Sequence, residues 1–397
     1  MHDLKIQNGR ICDGLGNPIT LGTLAVTDGR ISAIGPDVGT ARHTIDAEGM
    51  VLAPGIVDVH THYDAQITWD NTATPSPQNG VTTVIIGNCG FTIAPCRPAD
   101  REITLKNLTK VEGIPYDALK RGVNWDFETF GEYLYTIEAR GTVPNIACFV
   151  GHSSIRTWAM GDDARHRPAN PQEIDRMCDL LGEALVEGAI GFSSSFSDSH
   201  NGEGGLPVAS RLAAAAELEA LAGVLRKKNQ GTLQITRGNT ATIQSIGALQ
   251  AIAGRPLQMS AVMTVPKFPE MAKQDMTALE AERASGREVW AHVSPFPEIM
   301  HFTLKNPFPM ETIPAWNPAM QASDLDALKD VYRNEDFRES VKQELETPVP
   351  FRFNGQWDVV TIVRTNNPEL QSFQGRSLSL IHISEPTRRT PISYAVL

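Results

Sequence analysis

The chain has 397 residues, 41% of them apolar and 20% charged, and carries a formal net charge of -11. That is enough apolar material for a large core, and a negative balance without any Lys/Arg cluster excludes nucleic acid as a partner and favours a small-molecule substrate. No apolar run reaches the roughly 18 residues that span a bilayer. The opening MHDLKIQNGR has neither the basic n-region nor the apolar h-region of a secretory leader, so no membrane partner is expected and the expected compartment is the cytoplasm. Cys12, Cys89, Cys96, Cys148 and Cys178 are scattered, odd in number and free of CxxC spacing, which argues against a disulfide framework.

Residues 3–35 read as short β-rich runs separated by Asn-Gly, Gly-Asn-Pro and Asp-Gly, the chemistry of hairpin turns, and predict a small antiparallel sheet that ends near Pro54. The texture then changes. Seven short apolar runs follow, IVDVH, VTTVIIGN, NIACFVG, GAIGFSS, TLQIT, PLQMSAV and EVWAHVS, with long connections between them. One connection, PQEIDRMCDLLGEALVEG, sets Ile174, Met177, Leu181, Ala184 and Leu185 at helical spacing, and residues 211–225 form an Ala/Leu/Glu-rich stretch. Strands alternating with helices point to a parallel sheet with helical crossovers. Seven strands without a dinucleotide-type glycine fingerprint predict an α/β fold of the (β/α)8 TIM-barrel type from which the eighth strand is missing.

His60 and His62 fall at the end of the first barrel strand. Period-two alternation puts both imidazoles on one face, at the mouth where such barrels build their sites, and a chelating pair there suits zinc. Tyr63 and Asp64 follow, placed to line the pocket or to orient a ligand. Cys89 ends the second strand between Asn88 and Gly90, at the same mouth, and reads as a thiolate ligand, whereas Cys96 beside Pro95 reads as structural. His152 follows the third strand in GHSSIR, and His200 lies in a Gly/Ser-rich loop after the fourth. Each is open to three readings, metal ligand, substrate contact or loop residue, and Arg156 is read as a clamp for a substrate carboxylate. His292 and His301 stand near a late strand and its loop and read as structural.

Taken together, PGIVDVHTHYDAQ, GVTTVIIGNCG, GHSSIR with the following MGDDA, and GFSSSFSDSH resemble the amidohydrolase superfamily, specifically its D-aminoacylase or N-acyl-D-amino-acid deacylase branch, from Asp3 to Arg376. The resemblance implies a composite β-sandwich, with its first part in residues 1–54, beside a metal-bearing barrel in residues 55–377. It implies metal ligation by His60, His62 and Cys89, one or two zinc ions, and hydrolysis of an N-acyl-D-amino acid to a carboxylate and a D-amino acid. The catalytic Asp of the branch ends its eighth strand and is expected beyond residue 377. The branch also has histidines at the ends of its fifth and sixth strands, where this chain has Ile235 or Thr236 and Ala261 after Ser260. No Lys occurs in GAIGFSSSF, so a carboxylated-lysine second site is not expected. The remaining ligand would then come from a residue such as His152 or His200.

Two other classes stay open at this point: a cyclic-amide hydrolase or deaminase of the same superfamily, and a non-catalytic scaffold that keeps the fold. The last stretch, residues 378–397, contains LSLIHISEPTR and ISYAV, which match in one frame the translation of a transposase adapter used in preparing DNA sequencing libraries. It is expected to be foreign to the protein. The chain as written is therefore expected to fold poorly and to be inactive, unlike its full-length parent.

Overall fold

The structure is a computed structural model that describes residues 1–294 and 299–379. It begins with β1 (His2–Ile11), followed by β2 (Thr20–Thr27) and β3 (Arg30–Gly35). Asp28 and Gly29 join β2 to β3 with φ of 51° and 69°, the left-handed backbone that a two-residue hairpin turn requires and that an Asp-Gly pair adopts at little cost. The other predicted turn pair behaves differently. Asn8, at φ 55°, lies inside β1, where the register shifts between Ile6 and Gly9, so Asn-Gly there makes a bulge instead of a hairpin.

β4 (Ala41–Asp46) and β5 (Val51–Leu52) complete a five-stranded sheet in the order β3-β2-β1-β4, with β5 also on β1. β1 is antiparallel to β2 but parallel to β4 and β5. The expectation of a purely antiparallel sheet is corrected here, because residues 36–40 carry the chain across to the far side of β1 instead of folding it back beside β3. Among the described residues this is a single sheet, and the second layer of a sandwich is not found among them. The compact unit that contains it comprises residues 1–58 and 75–83, so it runs past Pro54.

The second unit contains residues 59–74 and those from 84 onward. The seven predicted barrel strands are all present as β6 (Ile56–Asp58), β7 (Val81–Ile86), β8 (Asn145–Gly151), β9 (Gly191–Ser195), β10 (Thr232–Thr236), β11 (Leu257–Ser260) and β12 (Val289–Ala291). They lie side by side in chain order, and each given pairing from β8 to β12 is parallel. Among the described residues no eighth strand joins this sheet. Three helices, α1 (Arg101–Glu112), α2 (Tyr116–Gly122) and α3 (Phe130–Arg140), separate β7 from β8. Then α4 (His152–Met160) and α5 (Pro171–Glu187) precede β9, α6 (Ala215–Lys228) precedes β10, α7 (Ile243–Ala253) precedes β11 and α8 (Met271–Ala284) precedes β12.

The chemistry of α5 shows why the sequence reading located it well. Pro171 occupies the first turn, Asn170 and Glu173 form a reciprocal capping box, and Met177, Leu181, Ala184 and Leu185 are buried on one face. Val150, Leu233, Ile235, Leu257, Met259 and Val289, which the parallel registers set on the face opposite to Gln234, are all fully buried. Each such side chain contributes about 1.5–3 kcal/mol by leaving water. Ile235 therefore belongs to this packing layer. After β12, α9 (Asn317–Met320), α10 (Leu325–Arg333) and α11 (Glu335–Leu345) gather around Trp316, Tyr332 and Phe337, whose rings lie 5.4–5.9 Å apart.

Candidate metal centre

β6 ends at Asp58, and the two histidines lie just beyond it. The strand-like alternation continues through them because Thr61, between them, gives both its N–H (3.1 Å) and its hydroxyl (2.8 Å) to the Ile85 carbonyl on β7. With Thr61 held against that neighbour, both imidazoles turn to the opposite side, their ring centres 5.2 Å apart.

Cys89 meets them there. Its loop leaves β7 through Gly87 at φ 79°, where a Cβ would come within 2.3 Å of the Phe149 carbonyl, so only glycine fits. Cys89 itself sits at φ 59°, uncommon for a residue with a side chain, and its surroundings hold it there. Its N–H donates to Gln234 Oε1 at 2.7 Å, the Gly90 N–H donates to Ser193 Oγ at 3.0 Å, and the Ser193 hydroxyl donates to the Gly87 carbonyl. Asp64 accepts from the Gly87 N–H at 3.0 Å. Asp64 is thus a buried anchor for the Cys89 loop, tied in further by Tyr133, whose hydroxyl donates to its carbonyl oxygen at 2.8 Å.

The thiol sulfur lies 3.2 Å from His60 Nε2 and 3.7 Å from His62 Nε2, and one donor atom from each of the three residues falls within 4.8 Å of the others. Tetrahedral zinc with bonds of about 2.0–2.3 Å sets its donors roughly 3.3–3.8 Å apart, so this set fits such an ion. Burial, followed by the neighbouring His62 and His292, lowers the His60 pKa to about 3, and burial with the nearby His200 does the same for His62. Both rings are therefore neutral, as ligands must be. Burial pushes the Cys89 thiol well up, opposed by the Thr236 hydroxyl, which donates to Sγ at 3.1 Å.

The ends of the fifth and sixth barrel strands, which lack the histidines that the resemblance implies, supply hydroxyls. Thr236 closes β10 on Cys89, and Ser260 closes β11 with its Oγ 2.8 Å from His60 Nδ1 and 2.8 Å from His292 Nδ1. His292, read from sequence as structural, lies just after β12, and its Nδ1 is 3.0 Å from His60 Nδ1. The other residue that sequence reading missed is Glu112, at the C-terminal end of α1, with Oε1 3.3 Å from His62 Nδ1. Burial and then the nearby Asp64 raise Glu112 to about 8, and burial raises Asp64 to about 7. His292 could have been found as the first polar residue after the seventh apolar run, the position type that His60 and Cys89 occupy. Glu112 carries no such signal.

The remaining sequence candidates divide. His200 stays beside the group: its ring packs 4.8 Å from that of Phe91, its Nδ1 is 2.6 Å from Ser195 Oγ, and burial followed by nearby Arg211 and His60 lowers it to about 3. Tyr63 is half-buried, its carbonyl accepting the Ile67 N–H at 2.8 Å. His152 and Arg156 are not brought to the histidine pair. Both are fully buried on α4, where Glu217 of α6 bonds His152 Nε2 at 2.7 Å and the Arg156 guanidinium, while His152 Nδ1 meets Ser194 Oγ at 2.8 Å. Arg156 also donates to the Ala164 and Arg167 carbonyls at 3.2 and 2.9 Å. The reading of Arg156 as a substrate clamp is corrected for this reason: its carboxylate partner belongs to its own chain. Cys96, as expected of a structural thiol, is buried against Thr104, and His301 is exposed.

A mostly parallel sheet with strands in chain order, and a His-x-His pair facing a cysteine past the ends of its first two strands, define a barrel-type scaffold with a candidate metal centre. The chain belongs to the amidohydrolase family, whose model matches residues 43–331. It is 39% identical over 193 residues to D-aminoacylase of Alcaligenes xylosoxydans xylosoxydans, a match covering 48% of this chain and 37% of that one. A crystal structure of D-aminoacylase superposes with a TM-score of 0.63 at 28% identity, covering 75% of this chain and 59% of the other. N-acyl-D-glutamate deacylase of Bordetella bronchiseptica, solved with zinc and a phosphonate mimic of the tetrahedral intermediate, gives a TM-score of 0.59 at 29% identity, covering 75% and 59%. The matches thus span about two fifths to three fifths of those proteins' lengths.

Proposed function

We propose that the protein is a metal-dependent hydrolase of linear amides whose substrates are N-acyl-D-amino acids, cleaved by water to a carboxylate and a free D-amino acid. The observation that carries this reading is the meeting of His60, His62 and Cys89 at zinc-like donor spacing. The deacylase relatives, one solved with zinc, support the choice of substrate and ion.

His60 Nε2, His62 Nε2 and Cys89 Sγ would hold the ion, with His200 as a further ligand or a substrate contact and Tyr63 as a substrate contact. When bound, zinc polarises the scissile carbonyl and makes water acidic enough to lose a proton near pH 7. The chain's own residues prepare for this. Gln234 and Ser193 fix the backbone on either side of Cys89, and the Thr236 hydroxyl donates to its sulfur, favouring the thiolate. The water's proton must pass to a carboxylate and on to the leaving nitrogen. We assign that task to the Asp that the resemblance to the deacylases implies at the end of an eighth strand.

The test is an assay of the protein, loaded with zinc, on N-acyl-D-amino acids, their L enantiomers and hydantoin-like rings. Selective release of D-amino acids, together with metal content that falls on His60→Ala, is the expected outcome. Preferential ring opening would replace the reading with a cyclic-amide hydrolase. A stable protein that takes up no metal would make it a scaffold.

A further inference from the structure

We infer that His292 is a positioning residue that, with Gln258, sets the tautomer of His60 so that its Nε2 lone pair faces Cys89. The inference deepens the metal-site reading above and rests on it for its purpose, though not for its geometry.

Two Nδ1 atoms 3.0 Å apart, those of His60 and His292, must be one donor and one acceptor. The direction of that bond follows from its far end. With the Gln258 amide turned so that its Oε1 lies 2.9 Å from His292 Nε2, Nε2 carries the proton of His292 and its Nδ1 is left with a lone pair; the opposite orientation of the amide would reverse the chain and protonate His60 Nε2, which ligation forbids. His60 Nδ1 is then the donor. A neutral imidazole has one N–H, so His60 Nε2 carries the lone pair, and it points at Cys89 Sγ 3.2 Å away. Ligation makes the same demand independently, since a metal ligand needs that lone pair.

Ser260 closes the arrangement without conflict. Its Oγ lies 2.8 Å from each Nδ1 and 3.2 Å from Gln234 Nε2. The orientation of the Gln234 amide is fixed because its Oε1 takes the Cys89 backbone N–H at 2.7 Å, so its Nε2 donates to Ser260. The hydroxyl accepts from Gln234, lies beside the single His60 N–H as a second acceptor and turns its own proton to the His292 lone pair, so that one N–H and one lone pair are shared among the three atoms. A reversed chain would need the Gln258 amide turned over and would leave a protonated His60 Nε2 facing Cys89. The amide that holds the Cys89 backbone therefore also reaches, through Ser260, the ring that faces Cys89.

The experiment compares His292→Leu, His292→Asn and Gln258→Leu with the parent protein, each first shown to keep its melting temperature within a few degrees. In the metal-free protein, two-bond 15N–1H spectra of the imidazoles should show His60 as the Nδ1–H tautomer. That preference should be lost in His292→Leu, weakened in Gln258→Leu and restored in His292→Asn, whose Oδ1 can take the place of the Nδ1 acceptor. Zinc affinity, read by competition with a chromophoric chelator, should fall about 10–100-fold in His292→Leu and recover in His292→Asn. An unchanged His60 tautomer in His292→Leu would overturn the inference, as would loss of affinity that His292→Asn fails to restore. A parent protein that shows the expected tautomers but binds no zinc would leave the positioning role standing and remove the metal-site reading instead.

Discussion

Glu112 holds a carboxyl oxygen 3.3 Å from Nδ1 of His62, the ring nitrogen that faces away from Cys89 and is buried without a hydrogen bond among the described residues. Glu112 keeps its proton to about pH 8 in the metal-free protein; once His62 binds an ion through Nε2, the ionised carboxylate would take the Nδ1 proton and hold the ring, and losing such a partner typically weakens metal binding 10–100-fold. Glu112→Ala should therefore lower zinc affinity by about that factor with little loss of the fold, because the residue ends a helix and does not anchor it. Equilibrium competition with a chelator measures the change. An affinity equal to that of the parent protein would mean that His62 needs no such support.

The same carboxylate gives the metal-free protein an unusual pH profile. Groups whose folded pKa is depressed gain stability as pH rises, and His60, His62 and His200, at about 3, do so up to the ordinary imidazole pKa near 6.5. Asp64 and Glu112, raised to about 7 and 8, act in the other direction: the folded state keeps protons that the unfolded chain has released, so stability falls as pH rises through those values. Below pH 6.5 the histidines outweigh the two acids. Above it only the acids remain, so stability should peak near pH 6.5 and drop by roughly 2 kcal/mol by pH 8. Urea midpoints of chelator-treated protein at pH 5, 6.5 and 8 test this, and Glu112→Gln should flatten the alkaline side.

His152, Arg156 and Glu217 predict a structural phenotype. Removing one member of a buried ion pair strands the other charge and costs about 3–5 kcal/mol. Glu217→Ala leaves the Arg156 guanidinium, fully buried, with only carbonyl partners. It should lower the melting temperature sharply, and Arg156→Ala should act on stability and leave KM for a carboxylate substrate unchanged. A raised KM with normal stability would reinstate Arg156 as a substrate clamp.

Why the sequence reading missed the partner of Arg156, yet set His60, His62 and Cys89 at one mouth, where the structure also brings them together, is a matter of range. The histidine pair and the cysteine are placed by strand alternation and by a Gly-flanked loop, both local, and all seven strands were visible as apolar runs for the same reason. Glu217 meets Arg156 across 61 residues, and Gln234 meets Cys89 across 145. Pairings at that distance are set by which helix covers which strand, and nothing in the residues beside Arg156 announces Glu217. The mixed pairing of β1 escaped notice similarly, since hairpin turns report local reversal but not where β4 returns.

The last prediction concerns the loop that delivers Cys89. Gly87→Ala would put a methyl group 2.3 Å from the Phe149 carbonyl on β8, at φ 79°. The obstacle is backbone in a sheet interior, so the loop must move instead, which breaks the Asp64 bond to the Gly87 N–H and withdraws the Gly87 carbonyl from Ser193. Strain of this kind costs more than the ~1 kcal/mol of an ordinary glycine replacement, and the displaced residue two positions on is the thiol itself. We expect Gly87→Ala to lose both stability and zinc affinity, whereas Gly204→Ala, also at positive φ (68°) but in open space, should lose a little stability and no affinity. Parallel melting and metal-binding curves for the two variants separate strain at the metal centre from strain in general.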